Sequence, residues 1–188
     1  MNLTIPNLLT LLRMGLVPWF LIAVLQGDSI VALSIFLVAG ISDGLDGFIA
    51  RFFNQRSVLG AYLDPLADKV LLTTAFVTLA IPGTHSGVLI PVWVTVLVLA
   101  RDVLILMVSL VLYLTHQVTR FPPAVISKLT TAVQITAIFL VLVSGISEGV
   151  GELATTALYA VAVLTVGSGL FYIWHTNRLV VEKQGAQT

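Results

Sequence analysis

The chain has 188 residues, 58% of them hydrophobic and 10% charged, with a formal net charge of zero and a mean hydropathy of +1.06. A soluble domain averages about 25% charged residues, so this composition excludes a water-dissolved globule, and a zero net charge offers nothing to nucleic acid. There is no cysteine, which excludes disulfides and thiolate metal sites and leaves the redox compartment open.

A membrane-spanning helix needs roughly 20 mostly apolar residues. In chain order the apolar runs predict helices at about Ile5–Leu25, Ile30–Ala50, Val58–Ile81, Val88–Leu114, Val125–Ser144 and Leu153–Trp174. Turn residues separate them, as in Gln26-Gly27-Asp28-Ser29, the segment from Pro82 to Gly87, and Ser144 through Gly151. No linker is long enough to divide the chain and no internal repeat stands out. The expectation is an all-α integral membrane protein, one domain over residues 1–188, with six transmembrane helices. The N-terminus lacks the basic start and small-residue cleavage site of a signal peptide, which favours a bacterial inner membrane. Trp19, Trp93 and Trp174 suit interfacial or packing positions. His85, His116 and His175 have no ligand-spaced partner and read as interfacial residues.

Basic residues near helix ends set orientation. Arg51 and Arg56 lie between the second and third runs, Arg120 and Lys128 near the junction of the fourth and fifth, and Arg178 and Lys183 after the sixth. The other three connections hold Asp28, His85, Glu148 and Glu152 and no Lys or Arg. Both termini are therefore expected on the cytoplasmic side.

Five of the nine acids fall inside apolar runs: Asp43, Asp46, Asp64, Asp68 and Asp102. Each Asp at the centre of a membrane helix costs about 2.5–3.5 kcal/mol on insertion scales, so something must neutralise the first four. Asp43 and Asp46 are three apart and Asp64 and Asp68 four apart, so each pair shares a helical face. The two helices are joined by a short turn, which places the pairs at similar shallow depths near the cytoplasmic surface. Two facing pairs of carboxylates form an oxygen-rich cage for hard divalent cations. Such a cage could hold two ions, the arrangement that activates an attacking oxygen and stabilises a leaving one. The bland alternative is headgroup-solvated carboxylates paired with Arg51, Arg56 and Lys69. An ion pathway is the rival function, as in a small ion or solute transporter, but pathways spread ionisable groups across the bilayer, and these acids cluster at one side. Gly40 and Gly44 have the spacing of a small-residue packing seam, whereas Gly47, beside an acid, leaves room for a ligand.

The segment Asp43-x-x-Asp46-Gly47-x-x-Ala50-Arg51, eight residues, then Gly60-x-x-x-Asp64-x-x-x-Asp68 resembles the signature of the CDP-alcohol phosphatidyltransferase family at every fixed position. The opening Ile5-Pro6-Asn7-Leu8-Leu9-Thr10-Leu11-Leu12-Arg13 is similar to the first helix of phosphatidylglycerophosphate and cardiolipin synthases of that family. The resemblance implies that an alcohol attacks the lipid-bearing phosphorus of a CDP-activated lipid and that CMP leaves. It implies that Asp43, Asp46, Asp64 and Asp68 hold two Mg²⁺ or Mn²⁺ ions and that Asp68 is also the general base. It assigns Asn7, Thr10, Gly47, Ala50, Arg51, Ser57 and Gly60 to the CDP-lipid. It also implies an active site facing the cytoplasm and, as is common in the family, a homodimer.

The acceptor is read from finer resemblance. Glycerol 3-phosphate synthases usually carry Ala-Arg-Glu in the fourth helix and Gly-Lys-x-Lys-Thr before the fifth. Here the residues are Ala100-Arg101-Asp102 and Ser127-Lys128-Leu129-Thr130-Thr131, so the second lysine is replaced by Thr130. These segments, with Asn54-Gln55-Arg56-Ser57 and Leu63 through Lys69, resemble eukaryotic-type cardiolipin synthases instead. The expected substrates are CDP-diacylglycerol and phosphatidylglycerol, giving cardiolipin, with glycerol 3-phosphate as the alternative acceptor. Arg101, Arg120 and Lys128 are the candidate acceptor-binding cations. Their structural alternatives are a buried Arg101–Asp102 pair, a topology signal at Arg120 and a snorkelling anchor at Lys128.

Overall fold

The structure is a computed structural model and describes residues 5–52, 58–114 and 125–185. Side chains within these ranges are described except at 5, 6, 46–52, 58–62, 64, 65, 109–114, 125, 173 and 175–185. Among the described residues there are six α-helices and no strand: α1 (Ile5–Leu25), α2 (Ser29–Phe52), α3 (Val58–Thr78), α4 (Val92–Leu114), α5 (Val125–Ser144) and α6 (Gly151–Gly185). A short 3-10 turn, Glu148–Val150, precedes α6. Among the described residues, the stretches Asn7–Leu25, Ile126–Ser144 and Glu148–Tyr172 are long and apolar enough to cross a bilayer, and α2 is apolar from Ser29 to Leu45.

Three helix ends lie three or more residues from their sequence-based positions: α3 ends at Thr78 rather than Ile81, and the start of α4 and the end of α6 move for identifiable reasons. The fourth helix begins at Val92, not Val88. The Ile90 N–H donates to the Leu79 carbonyl (3.1 Å), and the Pro91 carbonyl accepts from Val94 (2.9 Å) and Thr95 (3.3 Å), so Pro91 starts the helix. The sixth helix continues past Trp174 to Gly185. No Gly or Pro interrupts 175–184, and a helix need not end where its apolar run ends.

The chain forms two compact units, residues 1–90 with 138–155, and 91–137 with 156–188. In the first, α1 packs on both α2 and α3. Its core follows helical stripes: Val17, Phe20 and Val24 on α1, Ala32, Phe36 and Ala39 on α2, and Leu71, Leu72, Ala75, Phe76 and Leu79 on α3. Phe20 and Phe36 meet with ring centroids 6.2 Å apart. The outward positions are as apolar as the core: Trp19, Ile30 and Ile41 are all more than 60% exposed. A chain that exposes large apolar side chains along its helices is surrounded by lipid rather than water.

The α1–α2 turn is closed by backbone bonds. Asp28 donates its N–H to the Ala23 carbonyl and Gly27 to Val24, each at 3.0 Å, with Gly27 at φ 76°. That pattern needs a residue that tolerates the left-handed region, which is why glycine stands there. Asp28 then accepts from the Val31 N–H (3.2 Å) and caps α2. At the end of α3, Thr84 Oγ1 donates to the Ile81 carbonyl (2.8 Å) and the His85 ring lies 3.1 Å from the Leu79 carbonyl. His85 thus has a defined partner within the fold.

Beside these turns the Val88 N–H donates to Ser144 Oγ (2.8 Å), which donates onward to the Val141 carbonyl (2.7 Å). A Cβ on Gly87 would stand 2.7 Å from the Val141 oxygen, and one on Gly145 would collide with Ser29 Oγ. Gly40 and Gly44, in contrast, face open space, with nothing within 4 Å of an added Cβ. The stripe 32, 36, 39 carries the α2 contact instead of the glycine seam.

In the second unit the buried stripes are Val94, Val98 and Arg101 on α4, Thr130, Gln134 and Ala137 on α5, and Leu158, Val161, Thr165 and Ser168 on α6. Trp93 and Tyr159 meet at 6.4 Å between centroids.

Candidate active site

The apolar stripes of the first unit end in a polar layer. On α1 the buried series Val24, Phe20, Val17 continues to Arg13 and Thr10, with Asn7 one turn further. On α2 the series Ala32, Phe36, Ala39 continues at the next helical step to Asp43. On α3, Asp68 lies one turn before Leu71 and Leu72. Packing that buries the apolar parts of these stripes therefore brings their polar ends together.

At that meeting point the Arg13 guanidinium joins the two acids. Its Nη1 lies 2.6 Å from Asp68 Oδ1 and 2.9 Å from Asp43 Oδ1. The Arg13 side chain has no solvent exposure, whereas those of Asp43 and Asp68 are 46% and 42% exposed. The arginine thus occupies the protein side of both carboxylates and leaves the other side accessible. Two half-exposed carboxylates from different helices, reaching one point, are a hard oxygen donor set that fits a divalent cation. Among the described residues no three metal-ligating side chains gather.

Asp46 lies one helical turn beyond Asp43 on the α2 backbone, and Asp64 one turn before Asp68 on α3. The side chains of both, and those of Gly47, Ala50, Arg51 and Gly60, lie outside the described residues, as do Ser57 and Arg120 altogether. Asn7 and Thr10 are buried on α1, the helix that carries Arg13. The residue that sequence reasoning missed is Arg13. Arg51, Arg56 and Lys69, the partners of the bland alternative, are close in sequence, while the cation that joins Asp43 and Asp68 sits on α1. Its signal was present: α1 carries one charged residue within an apolar run and no acid of its own, so that charge must find a partner on another helix.

The acceptor candidates fall in the second unit. Arg101 is buried on α4 and donates from Nε to Ser168 Oγ (3.0 Å), from Nη1 to Asp102 Oδ1 (2.9 Å) and from Nη2 to Ser127 Oγ (2.8 Å). All three nitrogens are thereby tied to α4, α5 and α6, the buried-pair arrangement with two serines added. Lys128 is exposed on α5. Thr130 is buried and donates to the Ile126 carbonyl of its own helix (2.8 Å), so that position supplies no cation.

The profile of the CDP-alcohol phosphatidyltransferase family matches residues 3–167. The chain is 36% identical to the CMP-forming cardiolipin synthase of Rattus norvegicus over 95% of its own length and 63% of the rat protein. It thus spans less than two thirds of that relative. It is 35% identical to a probable phosphatidylglycerophosphate synthase of Mycobacterium tuberculosis, over 89% of this chain and 78% of that protein. With the CDP-diacylglycerol–glycerol-3-phosphate 3-phosphatidyltransferase of Pectobacterium atrosepticum it shares 36% identity over 92% of this chain and 94% of the relative.

Proposed function

We propose, because the chain belongs to the CDP-alcohol phosphatidyltransferase family, that it transfers a phosphatidyl group from CDP-diacylglycerol to a hydroxyl of phosphatidylglycerol, giving cardiolipin and CMP. The observation that carries this reading is the convergence of Asp43 and Asp68, from two helices, on one buried guanidinium, with their outer sides accessible. The family is divalent-cation dependent, and here Asp43, Asp46, Asp64 and Asp68 would hold two Mg²⁺ or Mn²⁺ ions. Bound there, the ions supply charge neutralisation for the phosphoryl oxygens and acidify the attacking hydroxyl.

The protein's own groups do the rest. Asp68 accepts the proton of the acceptor hydroxyl. The hydroxyl oxygen bonds to the phosphorus that carries diacylglycerol, the bond from that phosphorus to CMP breaks, and CMP leaves with the electron pair. Arg51 binds the diphosphate through charge-assisted hydrogen bonds, and Asn7, Thr10, Gly47, Ala50, Ser57 and Gly60 complete the CDP-lipid pocket. Arg120 and Lys128 provide positive charge for the anionic acceptor, and Arg101 adds its charge from the buried network it forms with Asp102, Ser127 and Ser168. The reaction faces the cytoplasm of a bacterial inner membrane, with both chain termini on that side, in a single domain and a homodimeric assembly.

Phosphatidylglycerol is preferred as acceptor because Thr130 replaces a lysine at a position that glycerol 3-phosphate enzymes usually fill with a cation. A phosphomonoester dianion needs more positive charge than a phosphodiester. Glycerol 3-phosphate is retained as a second reading, since the Pectobacterium transferase matches over nearly its whole length. The test supplies purified protein with CDP-diacylglycerol and Mg²⁺ or Mn²⁺, and with one acceptor or the other. Cardiolipin from phosphatidylglycerol alone supports the proposal. Phosphatidylglycerophosphate from glycerol 3-phosphate alone reverses the choice of acceptor and keeps the mechanism.

A further inference from the structure

We infer that Arg13 is a positioning residue, an internal counter-cation that keeps the carboxylates of α2 and α3 gathered before any metal ion is bound. The inference rests on the reading of Asp43 and Asp68 as metal ligands. Two like charges on different helices repel each other, and holding them at one point needs a cation between them. Arg13 is that cation: one nitrogen contacts an oxygen of each acid. The dependence is mutual, because a guanidinium with no solvent exposure is costly without a carboxylate partner. α1, α2 and α3 are thus tied at their polar ends by a single charged group.

The geometry also separates the arginine from the metal. Arg13 takes the buried side of both carboxylates, and their accessible sides remain for cations and water. Metal loading therefore does not require Arg13 to leave. In its absence, a bound divalent ion could take over the task of holding the acids together. Because both contacts come from Nη1, a lysine, with three donors on one nitrogen, can reproduce part of the arrangement, whereas methionine cannot.

The experiment measures melting midpoints of the purified full chain in detergent, in EDTA and in saturating MnCl₂, with calorimetric Mn²⁺ titration of the wild type alongside. The proteins are wild type, Arg13→Lys, Arg13→Met, Asp43→Asn with Asp68→Asn, and the triple combination of the last two. In EDTA, Arg13→Met should lower the midpoint by about 5–10 °C, and Arg13→Lys by less than half of that. In the double-Asn background the methionine change should cost less than in the wild type, since the two charges that Arg13 contacts here are gone. Mn²⁺ should raise the midpoint of Arg13→Met by more than it raises that of the wild type and so close most of the gap between them, whereas an arginine serving only to fill space would leave that gap unchanged. If Arg13→Met does not fold, Arg13→Lys, made alone and in the double-Asn background, carries the same comparison. An equal loss with and without the two acids, or a loss that Mn²⁺ leaves untouched while the wild type binds Mn²⁺, overturns the inference and leaves the metal site standing. A wild type that takes up no Mn²⁺ overturns the metal-ligand reading and this inference with it.

Discussion

Asp68→Asn separates chemistry from folding. The substitution keeps the shape of the side chain and removes its charge. Arg13 Nη1 contacts Asp68 at 2.6 Å and Asp43 at 2.9 Å, so Asp43 survives as a charged partner. A hydrogen bond to a charged group is worth about 1.5–3 kcal/mol and a neutral one about 0.5–1.5 kcal/mol. The Asp68 side chain is 42% exposed, and solvent screening reduces that difference to about 1 kcal/mol. For a chain of this size the melting midpoint should fall by roughly 2–4 °C. Turnover should fall much further, because a general base contributes about 10²–10⁴ in rate and a metal ligand is weakened as well. CMP release at saturating substrate and a thermal melt, taken on one preparation, give both numbers. Turnover within about tenfold of wild type would remove Asp68 as the base. A midpoint lower by more than about 10 °C would show that the loss of activity is a loss of fold.

Gly87→Ala should destabilise through backbone collision: the new Cβ would stand 2.7 Å from the Val141 carbonyl oxygen and 2.8 Å from the Gly145 nitrogen, neither of which can rotate away. Overpacking of about 1–3 kcal/mol predicts a midpoint lower by roughly 3–10 °C, and an unchanged melt would contradict the close approach of these segments. Arg51→Ala should raise the KM for CDP-diacylglycerol about tenfold through loss of a charge-assisted contact while changing kcat less; an unchanged KM removes Arg51 from the diphosphate site.

Helix number and type could be read from the sequence because each apolar run is long enough to form a helix of several turns and is punctuated by turn residues. The ends were less legible. The start of α4 depends on a bond from Ile90 back to Leu79, a contact that apolarity cannot register. The end of α6 depends on helix propensity after the apolar run has stopped. His85 reads from the sequence as an interfacial residue, and its partner, the Leu79 carbonyl at the end of α3, is a backbone group that side-chain spacing cannot register. The acids announced themselves by their cost in an apolar helix. Arg13 stood out in the same way, as a lone charge in an apolar run, but its pairing with an acid 55 residues away is revealed only when the buried stripe of α1 is placed against α2 and α3.

The most direct measurement is CMP release from CDP-diacylglycerol by the purified protein with phosphatidylglycerol present. It is made first in EDTA, then after excess Mg²⁺ or Mn²⁺ is restored, for wild type and for Asp43→Asn. The expected result is no release in EDTA, release by the wild type once the cation returns, and a half-saturating cation concentration for Asp43→Asn that is higher by about tenfold or more. Release that continues in EDTA, or an Asp43→Asn protein with the cation dependence of the wild type, would contradict a metal site built on these carboxylates.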